Sequence, residues 1–485
     1  SGASLTSEGT KEAIEEAVSK SGVTLTAVTV QNTKAVELPK EADVVVIGAG
    51  GAGLTSAIAA HEKGAKVILI EKTELLGGNT NYATAGLNAA GTKIQEKLGV
   101  KDSPELFYED TMKGGKNKNN KELVRVLVNN SSAIVDWLIE RGADLSELTS
   151  TGGQSAKRTH RPTGGTAVGP NIVAALSKTA ENEKIDIRKG TKAIALVKAK
   201  NRIVGVKVRE IDGKEYTIKA KAVIVATGGF GANAKMVEKY NPKLKGFGST
   251  NSPAIVGDGI IMVEKVGGAL VDMNEIQTHP TVVHNKTNMI TEAVRGEGAI
   301  LVNKDGKRFI DELETRDVVS KAILSQKGKS AFLIFDEDIR TKLKAADGYV
   351  KKGFAVEGTL EEIAAKIGTD TKTLEATLNK YNEAVRNKVD SEFNKKTLPK
   401  ELTGTKYYAI EVSPAVHHTM GGVRINTNAE VLSKNGRPIK GLYAAGEVTG
   451  GIHGANRIGG NAVADITIFG KIAGENAATY SKSVK

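Results

Sequence analysis

Short apolar runs along the chain alternate with segments in which apolar residues recur at helical spacing. The runs at 44–47, 67–70 and 222–226 are continuously apolar, as expected of strands buried on both faces. Two further runs, 193–197 and 203–208, alternate apolar and polar residues and predict a hairpin or meander. Helical spacing is present at 123–141, 360–367 and 371–385. This mixture of strands and helices predicts an α/β fold.

The first two predicted strands flank a glycine motif. Gly48, Gly50 and Gly53 have the G-x-G-x-x-G spacing at the point where the first strand must turn into a helix. Gly48 permits the tight turn, Gly50 lets a pyrophosphate approach the backbone, and Gly53 lets the helix pack on the strand. The helix predicted over 52–63 offers its free N–H groups to that pyrophosphate. Glu71 ends the second strand, where its carboxylate can accept hydrogen bonds from ribose hydroxyls. The unit predicts a dinucleotide site.

The character of the chain changes at about residue 274. From 274 to 405 there are more Lys and Glu, more helical periodicity and fewer Gly-rich strand ends, and a strand-like segment follows at 441–447. We therefore predict one domain formed by 41–273 and 406–485, with 274–405 inserted as a smaller capping domain. Residues 1–40 are predicted to be a polar N-terminal segment and linker with a short helix over 11–19.

Composition narrows the possible functions. The 485 residues include no Cys, which excludes disulfides, thiolate metal sites, iron–sulfur clusters and thioether-bound haem within this chain. No apolar run approaches a membrane span and no signal peptide opens the chain. The net charge of +12 suits an anionic substrate or an anionic cell surface, and equally a Lys-rich solubilising surface. No basic run is interleaved with aromatic residues, so a nucleic-acid partner is not predicted.

Histidine and arginine gather beside glycine turns late in the chain. His279 lies close to His284 in sequence, and His417 precedes His418, although the whole chain has only 7 His. Arg316 and other arginines fall nearby in the same segments. Guanidinium groups grip carboxylates with a bidentate fork, so these clusters predict an anion pocket. Asp and Glu are not at ligand spacing around these histidines, so no metal site is predicted.

Several longer motifs resemble those of the soluble, flavocytochrome c-type fumarate reductases. More distantly they resemble the flavoprotein subunits of succinate dehydrogenase and fumarate reductase. The resemblance covers residue 42 to the C-terminus. It is carried by GAGGAGLTSAI, GGNTNYATAGLNAAGT, HRPTGG, IQTHPT, TEAVRGEGAI, ETRD, VHHTMGG and HGANRIGGNA. It implies an α/β, two-dinucleotide-binding (Rossmann-like) FAD domain with an inserted α+β capping domain that closes over the substrate.

The resemblance also implies the reaction and the residues that perform it. Reduced FAD would deliver hydride from N5 to one alkene carbon of fumarate, while Arg316 protonates the neighbouring carbon and succinate forms. Glu292 and Arg295 would relay the proton from solvent to Arg316. The residues implied to hold and polarise the two carboxylates, some of them shared with the relay, are His279, Thr291, Glu292, His417, Arg457, Gly86 and Gly460.

The same resemblance identifies residues that would contact FAD. They are Gly48, Gly50, Ala52, Gly53, Glu71, Lys72, Asn79, Thr80, Gly86, Leu87, Asn88, Thr227, Gly228, Asp258, His418, Glu447, Asn461, Ala462 and Val463. The membrane-complex relatives attach FAD through a His near the second Gly-rich stretch, but 77–92 contains no His, so FAD is expected to be non-covalent. In the same family a sodium ion is held by carbonyl groups that match 419–421 and 447–449.

The N-terminal residues SGASLTS resemble the end of FMN-binding domains, in which the hydroxyl after Gly-Ala carries FMN through a phosphoester. Ser4 has that position. A flexible terminus is the alternative, and within this chain it is favoured because the rest of such a domain is missing. The resemblance still predicts an FMN-binding domain upstream. Together with the lack of Cys and the basic charge, it predicts a protein that works outside the cytoplasm, at the cell surface or in the periplasm. A cytoplasmic enzyme that receives electrons from free reduced flavin, or from a quinol-linked carrier, is the alternative.

Three other functions are compatible with the sequence. One is reduction of another enoate such as urocanate, although His279, the Thr291-Glu292 pair and Arg457 favour a small dicarboxylate. Another is an amino-acid oxidase of the aspartate oxidase type, which would share the fold and the carboxylate clamp. The last is a flavin-binding electron carrier without catalysis. Such a carrier needs no proton donor beside the flavin, so the set of Arg316, Glu292 and Arg295 argues against it.

Overall fold

The computed structural model describes residues 39–484. The short helix predicted over 11–19 and the FMN-attachment position at Ser4 therefore lie outside the described residues. The strands are β1 Glu41–Ile47, β2 Val67–Ile70, β3 Leu87–Asn88, β4 Glu147–Thr149, β5 Thr159–Arg161, β6 Asp186–Arg188, β7 Thr191–Ala199, β8 Arg202–Glu210, β9 Glu215–Val225, β10 Leu270–Val271, β11 Ile276–Val283, β12 Ile300–Val302, β13 Ala331–Asp336, β14 Val356–Gly358, β15 Tyr407–Thr419, β16 Gly422–Arg424, β17 Glu430–Leu432, β18 Pro438–Ala444 and β19 Thr449–Gly450.

The α-helices of the same residues include two short ones that begin at functional candidates, Glu292 and Arg316. In chain order they are α1 Gly51–Glu62, α2 Lys93–Lys97, α3 Pro104–Gly114, α4 Lys121–Asn129, α5 Ser131–Glu140, α6 Val168–Asn182, α7 Ala234–Tyr240, α8 Asp258–Lys265, α9 Glu292–Gly296, α10 Arg316–Leu324, α11 Glu337–Lys342, α12 Lys344–Lys351, α13 Leu360–Ile367, α14 Thr371–Asn387 and α15 Asn461–Ser483. No helix of the described chain has the length and apolar character needed to cross a membrane.

The main sheet has the strand order β17-β18-β8-β9-β1-β2-β6, with β7 paired to β8. Strands β18, β9, β1, β2 and β6 run parallel, and Val44 of β1 pairs with Val67 on one side and Ala222 on the other. Val44, Val45 and Val46 are fully buried, as the continuous apolar run predicts for a strand covered on both faces. The predicted hairpin is confirmed as β7 and β8.

A second, antiparallel sheet has the order β11-β15-β13-β12, with β14 also paired to β15. A separate apolar core, which includes Val283 and Val412, packs on this sheet. The predicted capping segment 274–405 supplies every strand of the sheet except β15, which begins at Tyr407. The division into an FAD domain and a capping domain remains a prediction. Strand β15 lies outside the predicted capping segment in sequence and yet belongs to the second sheet.

One predicted helix is interrupted in the structure. The apolar spacing over 123–141 predicts a single helix, but the structure has two, α4 and α5, separated at Asn130. The Asn130 side chain donates a hydrogen bond to the Val126 carbonyl oxygen over 2.8 Å. Short polar side chains that bond to nearby backbone groups compete with helix continuation, which explains the break.

The two sheets bring different residues to the same region of the molecule. The parallel strands end at Gly48, Glu71, Ala226 and Ala445, which follow β1, β2, β9 and β18 and so lie at one edge of the main sheet. Strand β15 of the second sheet ends at His417-His418-Thr419 beside that edge. A cavity lies where these ends meet.

Candidate active site

The cavity at this junction has a volume of ≈ 500 Å³. It is lined by most of the residues that the sequence predicts for the cofactor and the substrate. Those predicted residues are Gly48, Gly50, Ala52, Glu71, Lys72, Asn79, Thr80, Gly86, Thr227, Gly228, Asp258, Arg316, His417, His418, Glu447, Arg457, Gly460, Ala462 and Val463. One continuous space therefore joins the dinucleotide motif to the arginine cluster.

The three motif glycines differ in what surrounds them. Gly48 has φ +99°, and a Cβ there would lie 2.6 Å from the Ala226 carbonyl oxygen. A Cβ on Gly53 would lie 1.7 Å from the Gly48 carbonyl oxygen, so no side chain fits between helix α1 and its strand. Gly50 is different, because its added Cβ would meet nothing closer than 3.7 Å. The protein leaves space beside Gly50 at the N-terminus of α1, as a pyrophosphate needs.

The far end of the cavity carries the predicted ribose acceptor. Glu71 accepts hydrogen bonds from the backbone N–H groups of Ala49 and Thr73, each over 2.9 Å. These bonds orient the carboxylate and still leave lone pairs for ligand hydroxyls. Close by, Lys72 pairs with Asp258 over 2.6 Å, and both residues line the cavity.

The middle of the cavity has an amide and carboxyl network. Asn79 donates from Nδ2 to Asn251 Oδ1 over 2.6 Å and to Glu447 Oε2 over 3.0 Å. Burial raises the pKa of Glu447. Thr227 also lines the cavity, and its buried hydroxyl has no hydrogen-bond partner among residues 39–484. An unpartnered hydroxyl on the wall and the open space at Gly50 fit a bound dinucleotide such as FAD.

Four predicted cofactor residues do not line the cavity: Gly53, Leu87, Asn88 and Asn461. Gly53 lies between α1 and its strand, and Leu87 is fully buried. Asn88 donates to the Gly459 carbonyl oxygen over 2.7 Å and to Asn461 Oδ1 over 2.6 Å. These amides support the turn before α15 from behind, so Gly460 is presented to the cavity while the asparagines are not.

The opposite end of the cavity has two arginines that share one acceptor. Arg316 Nη1 and Arg457 Nη2 each donate to Oε1 of Gln277 over 3.2 Å. Both arginines line the cavity and both are nearly buried, with 8% of Arg316 and 5% of Arg457 exposed. Burial, reinforced by the charge of Arg316, lowers the pKa of Arg457 to about 9. The site therefore keeps two cations close together without an acidic residue between them.

Glu292 and Arg295 lie one layer behind Arg316. Arg316 Nε donates to Glu292 Oε2 over 3.2 Å, and the Gly152 N–H donates to the other Glu292 oxygen over 3.2 Å. Arg295 Nη2 is 3.9 Å from Glu292 Oε2. Burial acts to raise the pKa of Glu292, but Arg316 and Arg295 outweigh it and the pKa is lowered. Arg316, Glu292 and Arg295 thus form a contiguous chain of ionised groups that leads away from the cavity.

Two histidines complete this end. The rings of His279 and His417 meet edge to face, with centroids 5.2 Å apart. Burial and the charge of Arg316 lower the pKa of each well below its usual range, so both are neutral at pH 7. His417 lines the cavity, whereas His279 lies behind it and is 1% exposed. Thr291 also lies behind the wall, within 3.5 Å of the lining residue Thr84.

Several residues that contact the candidate site residues were not predicted from the sequence. Gln277 lies two residues before His279 on β11, so the alternation of a strand could have identified it from the IQTHPT motif. Thr250 and Asn251 lie in an irregular loop with no periodicity, and no sequence signal marks them. Among residues 39–484 no three His, Cys, Asp or Glu side chains are grouped as metal ligands. Residues 419 and 447 are in contact, since the Thr419 N–H donates to Glu447 over 3.1 Å, but a sodium site there remains a prediction.

Comparison with known proteins adds independent information. The model of the FAD binding domain family matches residues 43–463. Fumarate reductase (cytochrome) of Shewanella frigidimarina is 51% identical over 442 residues, which are 91% of this chain and 77% of that protein. NADH:fumarate oxidoreductase of Klebsiella pneumoniae is 47% identical over 484 residues, 99% of this chain and 52% of that protein. A solved flavocytochrome c3 fumarate reductase in its open conformation superposes with a TM-score of 0.80 and 41% identity, over 95% of this chain and 85% of that one.

Proposed function

We infer the function from the premise that this chain belongs to the FAD binding domain family and, within it, to the fumarate reductase flavoproteins. It is an FAD-dependent oxidoreductase with an α/β FAD-binding fold. We propose that it reduces fumarate to succinate in the cavity described above, with FAD held non-covalently along the glycine motif and the dicarboxylate held at the arginine end.

The observation that carries this proposal is the charge of the arginine end. Arg316, Arg457 and Arg295 contribute three positive charges and Glu292 one negative charge, while His279 and His417 are neutral. Among these six groups the positive charges outnumber the negative one, so this end of the cavity suits a substrate with two carboxylates. Guanidinium forks bind carboxylates with directed hydrogen bonds, and enclosure away from water strengthens each of them.

The chain's own residues can complete the reduction. FAD held along the glycine motif, once reduced by the electron donor, would supply a hydride to one alkene carbon. Arg316, on the cavity wall, donates a proton to the neighbouring carbon. Glu292 first takes up a proton that Arg295 relays from solvent, and then passes it to Arg316 across their 3.2 Å contact. Free deprotonation of Arg316 near pH 7 is negligible, so the transfer from Glu292 to Arg316 and the transfer from Arg316 to the carbon must be concerted. Arg295 lies next in the chain and connects Glu292 with the protein behind the site.

The remaining residues act on substrate geometry. Arg457 and His417 hold one or both carboxylates fixed relative to Arg316, and fixed orientation lowers the barrier by avoiding reorganisation in the transition state. His279 and Thr291 lie one layer back, behind His417 and Thr84. We propose that closure of the capping segment brings both to the substrate and excludes water, as lids do in other enzymes.

We further propose that electrons arrive from a reduced FMN on a separate domain, in a protein that works outside the cytoplasm. Support comes from the SGAS motif at residues 1–4 and from a relative that is named for NADH oxidation and matches 99% of this chain. In a protein that also contains the upstream domain loaded with FMN, we expect reduced FMN to pass its electrons to the bound FAD.

The test is anaerobic oxidation of reduced methyl viologen by the FAD-loaded chain with fumarate, urocanate and acrylate in parallel. We expect turnover with fumarate to exceed that with the other enoates at least tenfold. Faster turnover with urocanate would overturn the substrate assignment. Oxygen consumption with L-aspartate in place of fumarate reduction would identify an oxidase instead. Flavin that remains with the precipitated polypeptide after denaturation would contradict non-covalent binding.

A further inference from the structure

Thr291 directly precedes helix α9, but its side chain does not cap that helix. Thr92 and Thr359 precede α2 and α13, and each accepts a hydrogen bond from a backbone N–H in the first turn of its own helix, as N-cap threonines usually do. Within residues 39–484 the side chain of Thr291 makes no such bond. Its Oγ1 instead lies 3.5 Å from Oγ1 of Thr84, which lines the cavity. The hydroxyl of Thr291 is therefore turned away from its own helix and toward the cavity wall.

The backbone of Thr291 is held by a tyrosine. The Thr291 N–H donates to the phenolic oxygen of Tyr349 over 3.0 Å. A backbone N–H can only donate, so the direction of this hydrogen bond is fixed. Thr291 is buried, and a buried N–H that lost its acceptor would be destabilising. The Tyr349 hydroxyl therefore anchors the residue whose side chain faces the cavity wall.

Tyr349 is itself fixed in place. It lies on helix α12, which buries Ala346 completely in the apolar core of the second sheet. The Tyr349 ring packs on Phe354, with ring centroids 6.4 Å apart. Asp347 of the same helix pairs with Arg340 over 3.0 Å. Burial raises the pKa of Tyr349, so the phenol is neutral at pH 7. The anchoring hydroxyl therefore has a defined position in the capping segment.

The residue after Thr291 has partners of its own. Glu292 accepts hydrogen bonds from the Gly152 N–H and from Arg316 Nε, each over 3.2 Å. Tyr349 and Thr291 both belong to the capping segment, so their contact can persist when that segment closes. Loss of the Tyr349 hydroxyl would release Thr291 and leave the partners of Glu292 in place. Its effect should fall on substrate binding, since the proton chain keeps its contacts.

We propose that Tyr349 is a positioning residue, whose hydroxyl holds the backbone of Thr291 so that the Thr291 side chain can donate a hydrogen bond to a substrate carboxylate. The inference rests on the proposed dicarboxylate site and adds to it a residue that does not line the cavity. Tyr349 has no part in proton or hydride transfer.

The experiment compares Tyr349→Phe with Tyr381→Phe, since each variant removes one hydroxyl from the same core. Tyr381 is fully buried, and its hydroxyl has no hydrogen-bond partner among residues 39–484. The first readout is deuterium exchange of the Thr291 amide in FAD-loaded protein, followed by mass spectrometry. We expect this amide to exchange faster in Tyr349→Phe and at the wild-type rate in Tyr381→Phe.

The second readout is the dissociation constant of succinate, followed by flavin absorbance, beside kcat for fumarate. In Tyr349→Phe we expect the dissociation constant to rise at least about threefold and kcat at saturating fumarate to change less than about twofold. Tyr381→Phe should match the wild type in both. General damage to the capping segment would instead lower kcat as well, because Glu292 and Arg316 belong to that segment.

A double-mutant cycle tests whether Tyr349 acts through Thr291. Thr291→Ala removes the hydroxyl that Tyr349 positions, so Tyr349→Phe should not weaken succinate binding further in that background. In a Thr291→Ser background, which keeps a hydroxyl, Tyr349→Phe should weaken binding as it does in the wild type. An undiminished effect in the Thr291→Ala background would overturn the inference, as would unchanged amide exchange or unchanged succinate binding in Tyr349→Phe. If the wild type binds no dicarboxylate, the proposed function fails and the role of Tyr349 in substrate binding fails with it.

Discussion

Replacing Arg316 by lysine separates a proton donor from a carboxylate clamp. Arg316 contacts two acceptors at once, Glu292 Oε2 through Nε and Gln277 Oε1 through Nη1, each over 3.2 Å. A lysine ammonium is a single point on a flexible stem, and it cannot meet both acceptors in the geometry of a planar guanidinium. The variant keeps the positive charge but loses the contact through which Glu292 would return a proton.

The size of the effect follows from these contacts. A positioned proton donor contributes about 10²–10⁴-fold to a rate. We therefore expect kcat for fumarate to fall at least ~10²-fold in Arg316→Lys, or about 2.7 kcal/mol of barrier. Substrate binding should weaken less than ~10-fold, because Arg457 and the charge at 316 remain. If Arg316 only clamps the carboxylate, KM should rise and kcat should be largely kept.

The assay is steady-state fumarate reduction with reduced methyl viologen, beside a direct titration of succinate against the flavin absorbance. Arg386→Lys is the matched control, because Arg386 lies on α14 with 56% of its side chain exposed and pairs only with Glu401 among the described residues. The control should behave as the wild type in both measurements. A near-normal kcat in Arg316→Lys would refute the assignment of Arg316 as proton donor.

Three further outcomes follow from the site. Gly53→Ala should lower the unfolding free energy of the apoprotein by ~3 kcal/mol, because its Cβ would lie 1.7 Å from the Gly48 carbonyl oxygen. Gly50→Ala should leave that stability unchanged but weaken FAD binding. Denaturant titration measures the stability of each variant, and flavin fluorescence measures its FAD affinity. Glu71→Ala should weaken FAD binding at least ~10-fold, since a ribose acceptor is lost and the backbone N–H groups of Ala49 and Thr73 lose their acceptor. Equal affinity by fluorescence titration would show that the acid has another role. Dicarboxylate affinity should fall as the pH rises through about 9, because the cationic form of Arg457 is lost there; a succinate dissociation constant that is flat from pH 7 to pH 10 would contradict that assignment.

The local parts of the molecule were readable from the chain alone. The apolar runs at 44–47 and 67–70 became β1 and β2, and the surface helices predicted at 360–367 and 371–385 became α13 and α14. The glycine spacing identified the turn into α1 and the dinucleotide end of the cavity. These features depend on neighbours within one turn or one strand, where the side-chain pattern and backbone freedom act directly. The break at Asn130 was missed, since apolar spacing continues across it while a single side-chain bond ends the helix.

Longer motifs also indicate which segments carry the candidate catalytic residues. They identified Arg316, Glu292 and Arg457 as candidates, and the structure brings these residues together. The sequence could not show that His279 and Thr291 lie one layer behind the cavity wall, or that Asn88 and Asn461 support a turn without reaching the cavity. A sequence motif does not show whether each of its residues reaches the cavity, because the same side chain can line the cavity or pack behind its wall.

Only the tertiary structure decided which residues of the site are joined by hydrogen bonds. Gln277 shares one oxygen between Arg316 and Arg457, although it is separated from Arg457 by 180 residues. Thr250 meets His417 across 167 residues, from a loop with no periodicity. Such contacts arise where the ends of two different sheets converge, so they are set by the packing of β15 against the edge of the parallel strands. Hydrogen bonds of this kind depend on tenths of an ångström between remote segments, and no local pattern of residues encodes that distance.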